Sequence, residues 1–281
     1  MTTRLRAAAP AFLSTADLGP LQDLPGTWMG SGLSVAELPD HRGGAPYRLR
    51  INATRETLTF TEIGAPIPGR GNNQDDIVLR GLHYLQQVSD ARTNEALHVE
   101  TGMWLFVPPT TVPIAVATIV RTANVPHGSV LLAQGTPLPD VAGAPDIPPL
   151  DTTPVGFTFG DGSFPPPDVR LPPDVPEQAL RDPSVLLTDA LKELTIVHTT
   201  TLDVRTGLDD IRNIGFVTAN AQATKLSSTF WVETLSGPDG VETLQLQYSQ
   251  RTTLRFPAGP RPDPARPIDW PHIQVATLLK Q

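Results

Sequence analysis

The sequence predicts an all-β protein, folded either as a sandwich or as an antiparallel barrel. One observation is period-two alternation, in which Leu49 and Ile51 share a face opposite Arg48 and Arg50. Another is that about ten such runs, rich in β-branched residues, follow one another along the chain. Successive short strands with hairpin-length loops are typical of sandwiches and barrels. One alternating face per strand also implies a barrel interior filled by side chains or by a ligand.

The strand-like runs fall into two stretches, residues 22–134 and 195–281. In chain order the main runs read PYRLRINAT, RETLTFTEIG, DIVLRGLHYLQQV, LHVETGMWLFV, IAVATIVRTA, SVLLAQG, ELTIVHTTTLDV, TKLSSTFWVETL, VETLQLQYSQRTTLRF and HIQVATLL. Within SGPDG, Pro238 presets φ and Gly240 is free to take a positive φ, which predicts a hairpin turn. Only ADLGPLQDLPG near the start and PEQALRDPSVLLTDALKEL before the second stretch indicate helical turns.

A proline-rich segment separates the two stretches. The chain holds 31 prolines in 281 residues, about twice the usual share of roughly 5%, and the run from Gly135 to Asp182 is especially rich in them. Because proline has no backbone N–H and disfavours sheet and helix alike, irregular structure is expected there. We therefore expect one domain, 1–281, with an insertion at about 135–194. This insertion would cover the strands or contact another subunit, so a homodimer stays open.

Composition excludes several classes of function. A net charge of -8 and a pI near 5.2 argue against nucleic acid, whose binding depends on clustered Lys and Arg. The absence of cysteine excludes disulfides, iron–sulfur clusters, thiolate catalysis and Cys-containing zinc sites. No run approaches the ~20 apolar residues of a membrane helix, and Pro10 interrupts the N-terminal apolar run, unlike a signal peptide. We expect a cytoplasmic protein without a membrane partner.

The segment LPGTWMGSG carries the most specific motif. Gly26, Trp28, Gly30 and Gly32 spell G-x-W-x-G-x-G, in which the Trp would plug one barrel end and the glycines would let the first strand bend against its neighbours. FTEIGAP, ALHVETGMW and the terminal PIDWPHIQVATLL follow in order. Together these segments resemble the nitrobindin family of heme-binding barrels, which are calycin-like. The resemblance covers roughly residues 20–134 and 195–281 and leaves the proline-rich segment outside.

This resemblance implies an antiparallel up-and-down barrel of about ten strands that binds heme b, with His272 as the ligand of its iron. It places His98 near the distal face and Arg121 at a polar distal-side position. Neutral imidazole is a common protein ligand of heme iron, and a site with one imidazole leaves the opposite face open. Each role has an alternative. His272 could be a solvated residue at the start of a strand, His98 an ordinary core or edge histidine, and Arg121 a solvated cation. His83 is a further candidate for the pocket wall.

The last strand also predicts the immediate neighbours of the ligand. His272, Gln274 and Ala276 share one face of a strand, which should be the inner one. The small Ala276 would then leave room for a flat macrocycle. His98 and Glu100 likewise share a face and could bind a metal, although no third histidine lies nearby in the sequence.

Departures from the family leave the activity open. The family's Tyr-Pro-Thr element has no counterpart in LSVAELPDHRGGAPY, and Glu62 stands where the family has the His of F-S-H. One hypothesis is a ferric heme protein that binds nitric oxide and isomerises peroxynitrite to nitrate, as the resemblance implies. The other is a non-catalytic carrier, like lipocalins or fatty-acid-binding proteins, of an apolar molecule. Such a carrier does not need a histidine on its last strand.

Overall fold

The structure is a computed structural model that describes residues 15–39, 47–155, 169–258 and 263–281. Its strands are β1 (Gly26–Pro39), β2 (Tyr47–Glu62), β3 (Ile67–Gly69), β4 (Ile77–Asp90), β5 (Ala96–Val107), β6 (Thr110–Thr111), β7 (Ile114–Ala115), β8 (Thr118–Val125), β9 (Ser129–Gly135), β10 (Val141–Ala142), β11 (Ile196–Asn213), β12 (Gln222–Ser236), β13 (Glu242–Ala258) and β14 (Asp263–Lys280). Its helices are two 3-10 helices, Thr15–Leu21 and Glu177–Leu180, and two α-helices, α1 (Ser184–Ala190) and α2 (Gly215–Asn220).

Ten strands close into an antiparallel barrel. The sheet runs β11-β12-β13-β14-β1-β2-β4-β5-β8-β9, and β9 pairs again with β11 to complete the ring. Every strand of the ring follows its neighbour in chain order, so the barrel is of the up-and-down kind. The predicted fold class is therefore confirmed. None of the helices among the described residues is long and apolar enough to cross a membrane.

One end of the barrel is closed by an apolar floor. The 3-10 helix Thr15–Leu21 and the segment after it insert Leu18, Leu21 and Leu24 into the main core cluster. Trp28 is fully buried there, and its indole N–H donates to the carbonyl of Leu24 at 2.8 Å. The floor also contains a set of inward-facing side chains from around the ring, among them Leu58, Phe60, Leu82, Trp104, Phe230, Leu246 and Leu278.

The proline-rich insertion lies against the outer wall of the barrel. Apart from β10, a 3-10 helix and α1, its described residues have no regular structure, as the proline content predicts; residues 156–168 lie outside the description. Its apolar side chains pack on a cluster that faces outward from the barrel, formed by Leu33, Val35, Trp231, Ile273 and Val275. This cover explains why residues 230–234 are buried without interruption, whereas β4 alternates between buried and exposed.

A carboxyl group is also buried beneath this cover. Glu233 on β12 is fully buried, and one of its oxygens accepts a hydrogen bond from Gln245 Nε2 at 2.7 Å. The other oxygen, Oε1, has no partner among the described residues. Burial raises the pKa of Glu233 to about 7, which the hydrogen bond from Gln245 only partly opposes. Nearby, Gln247 Nε2 donates to the carbonyl of Leu187 in α1, which ties the cover to the wall.

Replacing Gly32 with Ala should destabilise the barrel. A Cβ at Gly32 would lie 2.0 Å from the carbonyl oxygen of Val275 and 2.8 Å from Cβ of Ala276, so β14 would have to move. Overpacking of this kind typically costs about 1–3 kcal/mol. Gly64→Ala is the matched control, because a Cβ there meets nothing within 4 Å. Urea unfolding should show the loss in the first variant alone; equal effects would mean that close approach is not the reason for the glycine.

Glu233→Gln should remove a pH-dependent loss of stability. Below about pH 4.5 the carboxyl is protonated in both states, so its burial has no ionisation cost. As the pH rises towards 7, the unfolded chain releases this proton while the folded protein retains it, and the free energy of unfolding falls. The loss is complete above pH 7 and amounts to roughly 3 kcal/mol. In urea unfolding, the variant should match the parent at pH 4.5 and exceed it at pH 8.5. An equal difference at both pH values would contradict the cause.

Candidate functional site in the barrel mouth

The candidate site lies at the open end of the barrel, which we call the mouth. The β4–β5 and β8–β9 turns and helix α2 stand at this end, opposite the apolar floor. His272 enters it from β14, where it pairs with Thr252 of β13. Its side chain shares the inner face of β14 with Gln274, which reaches a buried carboxyl group inside the barrel. The parity argument from the sequence therefore holds for these two residues.

The imidazole of His272 has no hydrogen-bonding partner among the described residues. Burial lowers its pKa to about 4, and the nearby His98 and His127 add to this effect. The ring is therefore neutral at physiological pH, and its nitrogens remain available. The side chain of His272 is half-buried, so these nitrogens can be reached from the mouth. An inward imidazole without a partner thus indicates a place for a ligand.

Two further histidines reach the same mouth. The rings of His98 on β5 and His127 in the β8–β9 turn lie with their centroids 5.6 Å apart. Burial lowers the pKa of His127, and the neighbouring His98 lowers it further. Our sequence reasoning missed His127. Its signal was the tight turn VPHGS directly after the strand that pairs with β5, but only the strand register brings the two rings together.

A layer of buried polar side chains, which we call the polar belt, separates the mouth from the floor. One half is centred on Arg121, whose Nη2 lies 2.5 Å from Oε1 of Glu100, with both side chains 1% exposed. The guanidinium also donates to Ser228 Oγ at 2.8 Å and to Tyr84 Oη at 3.3 Å. It stacks near three aromatic rings of the floor, those of Tyr84, Trp104 and Phe230.

The other half of the belt surrounds Glu56, which has no cation beside it among the residues that the structure describes. Its carboxyl accepts hydrogen bonds from Tyr248 Oη at 2.5 Å, Thr54 Oγ1 at 2.9 Å and Gln274 Nε2 at 3.1 Å. Gln86 Nε2 approaches it at 3.4 Å and bonds Tyr248 at 2.9 Å. Burial raises the pKa of Glu56, although these hydrogen bonds oppose the shift. The belt is thus almost fully bonded within itself and closes the lower side of the mouth.

Three expectations from the sequence need correction. Arg121 is not a solvated cation but a buried one, paired with Glu100, because the barrel interior supplies a carboxylate at the same level. His83 is exposed on the outer face of β4, where it meets Thr101 at 3.0 Å, so it cannot line the mouth. Ala276 lies one step beyond Gln274, within the floor cluster and paired with Tyr248, so it does not border His272.

Arg121→Met should destabilise the protein strongly. The change leaves the carboxylate of Glu100 buried without its cation, and breaking a buried pair in this way typically costs about 3–5 kcal/mol. Arg205→Met is the control, because Arg205 pairs with Asp203 while its side chain is 71% exposed, and exposed pairs contribute only about 0–1 kcal/mol. Chemical denaturation of both variants tests this. Similar losses would contradict the buried character of the Arg121 pair.

Comparisons with known proteins add little to this geometry. The sequence matches no protein-family model and no curated protein. Among solved structures, the chain is similar to the protein in "Crystal Structure of Rv2717c from M. tuberculosis", with 18% identity, a TM-score of 0.45, and coverage of 98% of this chain and 99% of that one. So distant a similarity carries no functional argument. What the chain shows by itself is a closed, up-and-down antiparallel barrel with a histidine-lined mouth.

Proposed function

We propose that this barrel binds heme b at its mouth, with His272 as the protein ligand of the iron. The observation that carries the proposal is the inward imidazole of His272, which is kept neutral by burial and makes no hydrogen bond with the described residues. Axial ligation needs a neutral imidazole with a free ring nitrogen. The resemblance of the G-x-W-x-G-x-G opening and of the terminal strand to nitrobindins supports the same assignment.

The donor set fits heme better than a bare metal ion. Among the described residues, no group of three or more His, Asp or Glu side chains is arranged to hold a metal ion, whereas protein metal sites without a macrocycle generally need three or four ligands. A porphyrin supplies four nitrogens itself, so one imidazole from the chain is enough. Leu226 and Trp270 contribute apolar surface on the same inner side of the sheet as His272.

When bound, the heme would supply an iron centre able to take a small ligand. The chain's own residues at the mouth would contact that ligand. His98 stands in the mouth with 20% of its side chain exposed, and it can exchange a hydrogen bond with a small ligand. Arg121 cannot approach such a ligand directly, because Glu100, Tyr84 and Ser228 already hold its guanidinium.

The reaction we propose is the isomerisation of peroxynitrite to nitrate, with nitric oxide as a related ligand. The proposal is supported by the free imidazole of His272 and by the two further imidazoles of His98 and His127 at the mouth. The polar belt closes the floor of the site and limits the access of water from below. The chain lacks the family's Tyr-Pro-Thr element, so its small-ligand preference need not equal that of the family.

A carrier of an apolar molecule is the second candidate. It is favoured by apolar side chains at the mouth, where Ile214 is 55% and Phe216 of α2 is 74% exposed. The cargo would be neutral rather than a fatty acid, because the charge of Arg121 is already matched by Glu100. This candidate leaves the unbonded His272 without a role, which is why heme is preferred.

His272→Ala should lower hemin affinity by more than about tenfold and change the Soret spectrum, while leaving the barrel folded. Hemin titration of the heme-free protein, followed by absorbance, measures both effects. His83→Ala is the matched control, because this histidine lies on the outer face of β4. The His83→Ala protein should therefore bind hemin as the parent does. If the parent takes up no hemin but binds an apolar fluorescent probe, the carrier is correct. If His272→Ala binds hemin with an unchanged spectrum, the ligand assignment is wrong.

A further inference from the structure

Three hydrogen-bonded side chains, Arg121, Glu100 and His98, link the polar belt to the mouth. Glu100 uses its two oxygens differently: Oε1 receives Arg121 Nη2 at 2.5 Å and the hydroxyl of Tyr84, whereas Oε2 lies 3.3 Å from Nε2 of His98. Among the described residues, His98 is the only hydrogen-bonding partner of Oε2. Oε2 therefore takes no part in the contact with Arg121, and its hydrogen-bonding partner among the described residues is His98.

The ionisation of Glu100 fixes which partner donates. Burial by itself would raise the pKa of Glu100, but the Arg121 guanidinium and the hydrogen bonds hold it well below its usual range. An ionised carboxylate only accepts hydrogen bonds. The proton of the bond to His98 must then sit on Nε2, and whenever the ring is neutral Nδ1 is an unprotonated acceptor.

We infer that Glu100 is a positioning residue that fixes His98 as the Nε2–H tautomer, so that the mouth is lined by an acceptor nitrogen rather than by a donor. Arg121 acts through Glu100, because it holds the carboxylate in place and ionised. His127, whose ring packs against that of His98, is positioned by the same chain. Second-sphere carboxylates set the tautomer and orientation of histidines at metal centres in this way.

This arrangement assigns a ligand preference to the site, and that part rests on the proposed function. A neutral His98 with a free Nδ1 can accept a hydrogen bond from a ligand that carries an O–H or N–H group. It cannot donate one to an anion that carries no proton. The preferred class of small ligand is therefore the protonated form of an oxygen or nitrogen acid, rather than a simple anion.

The tautomer can be measured without heme. Long-range proton–nitrogen NMR on the heme-free, full-length protein at neutral pH should show His98 protonated at Nε2 and bare at Nδ1. In Glu100→Gln, the amide oxygen should stay with the donors Arg121 and Tyr84, which turns the amide N–H₂ towards His98 and moves the proton to Nδ1. Ser228→Ala, which removes only one contact of Arg121, should leave the tautomer unchanged.

The parent spectrum decides the inference by itself if Glu100→Gln does not fold. An Nδ1–H tautomer or a mixture in the parent would overturn it, and so would an unchanged tautomer in a folded Glu100→Gln protein. Absence of hemin uptake would overturn the proposed function but not this result.

A second measurement tests the ligand preference in the hemin-loaded protein. Fluoride carries no proton, so at pH 8 His98→Ala should bind it within about twofold of the parent or more tightly. If His98 instead donates to the ligand, the variant should bind fluoride about tenfold more weakly, as expected for one lost hydrogen bond. That result would overturn the preference.

Discussion

The pairing of β9 with β11 is the contact on which the rest of the structure depends, because it closes a ten-stranded sheet into a barrel. The two strands are separated in the chain by the whole proline-rich insertion, so this closure is a long-range contact that must offset the entropy of closing that loop. It removes both free edges of the sheet. It also turns one face of every strand into an interior that can exclude water.

The enclosed interior is layered by polarity along the barrel axis. Aromatic and aliphatic side chains fill the floor, the polar belt crosses the middle, and histidines stand in the mouth. The belt is tolerated because nearly every polar atom in it has a partner, and an unpaired charge at that depth would be costly. Its two carboxyl groups differ in kind: Glu100 is held ionised by Arg121, whereas Glu56 relies on neutral donors. The same layer that stabilises the barrel therefore orients the side chains above it.

The insertion buries side chains on the outer face of the barrel wall, just as closure of the sheet buries those on the inner face. Where it lies, β12 to β14 bury residues on both faces, and the wall behind His272 carries a layer of Ile273 and Val275 contacts. A covered wall is stiffer than a solvated one, since its strands are packed on both sides. Beneath the cover lies one destabilising group, the carboxyl group of Glu233 on β12, which is buried without a cation among the described residues.

The sequence by itself determined which residues of a strand share a face, which residue plugs one end of the barrel and where the insertion lies. Alternation with period two placed His272 and Gln274 on the inner face, the G-x-W-x-G-x-G motif marked Trp28 as a plug, and proline density marked the insertion. These features are local, because a strand has only two faces and proline acts on its own backbone. Periodicity does not give depth along the barrel axis. Depth depends on the register and stagger of every strand in the ring, and only the closed barrel fixes them.

The sequence predictions that proved wrong depended on the position of a side chain along the barrel axis. This depth placed Ala276 in the floor rather than beside His272, and it set Glu100 at the level of Arg121, so that a charge expected in solvent is buried as a pair. It also brought His127, from a turn, against His98. Each of these contacts joins residues on different strands or turns, where one residue of register shift would separate them. The tertiary structure alone decided them, because the free energy that sets the register is shared among all ten strands.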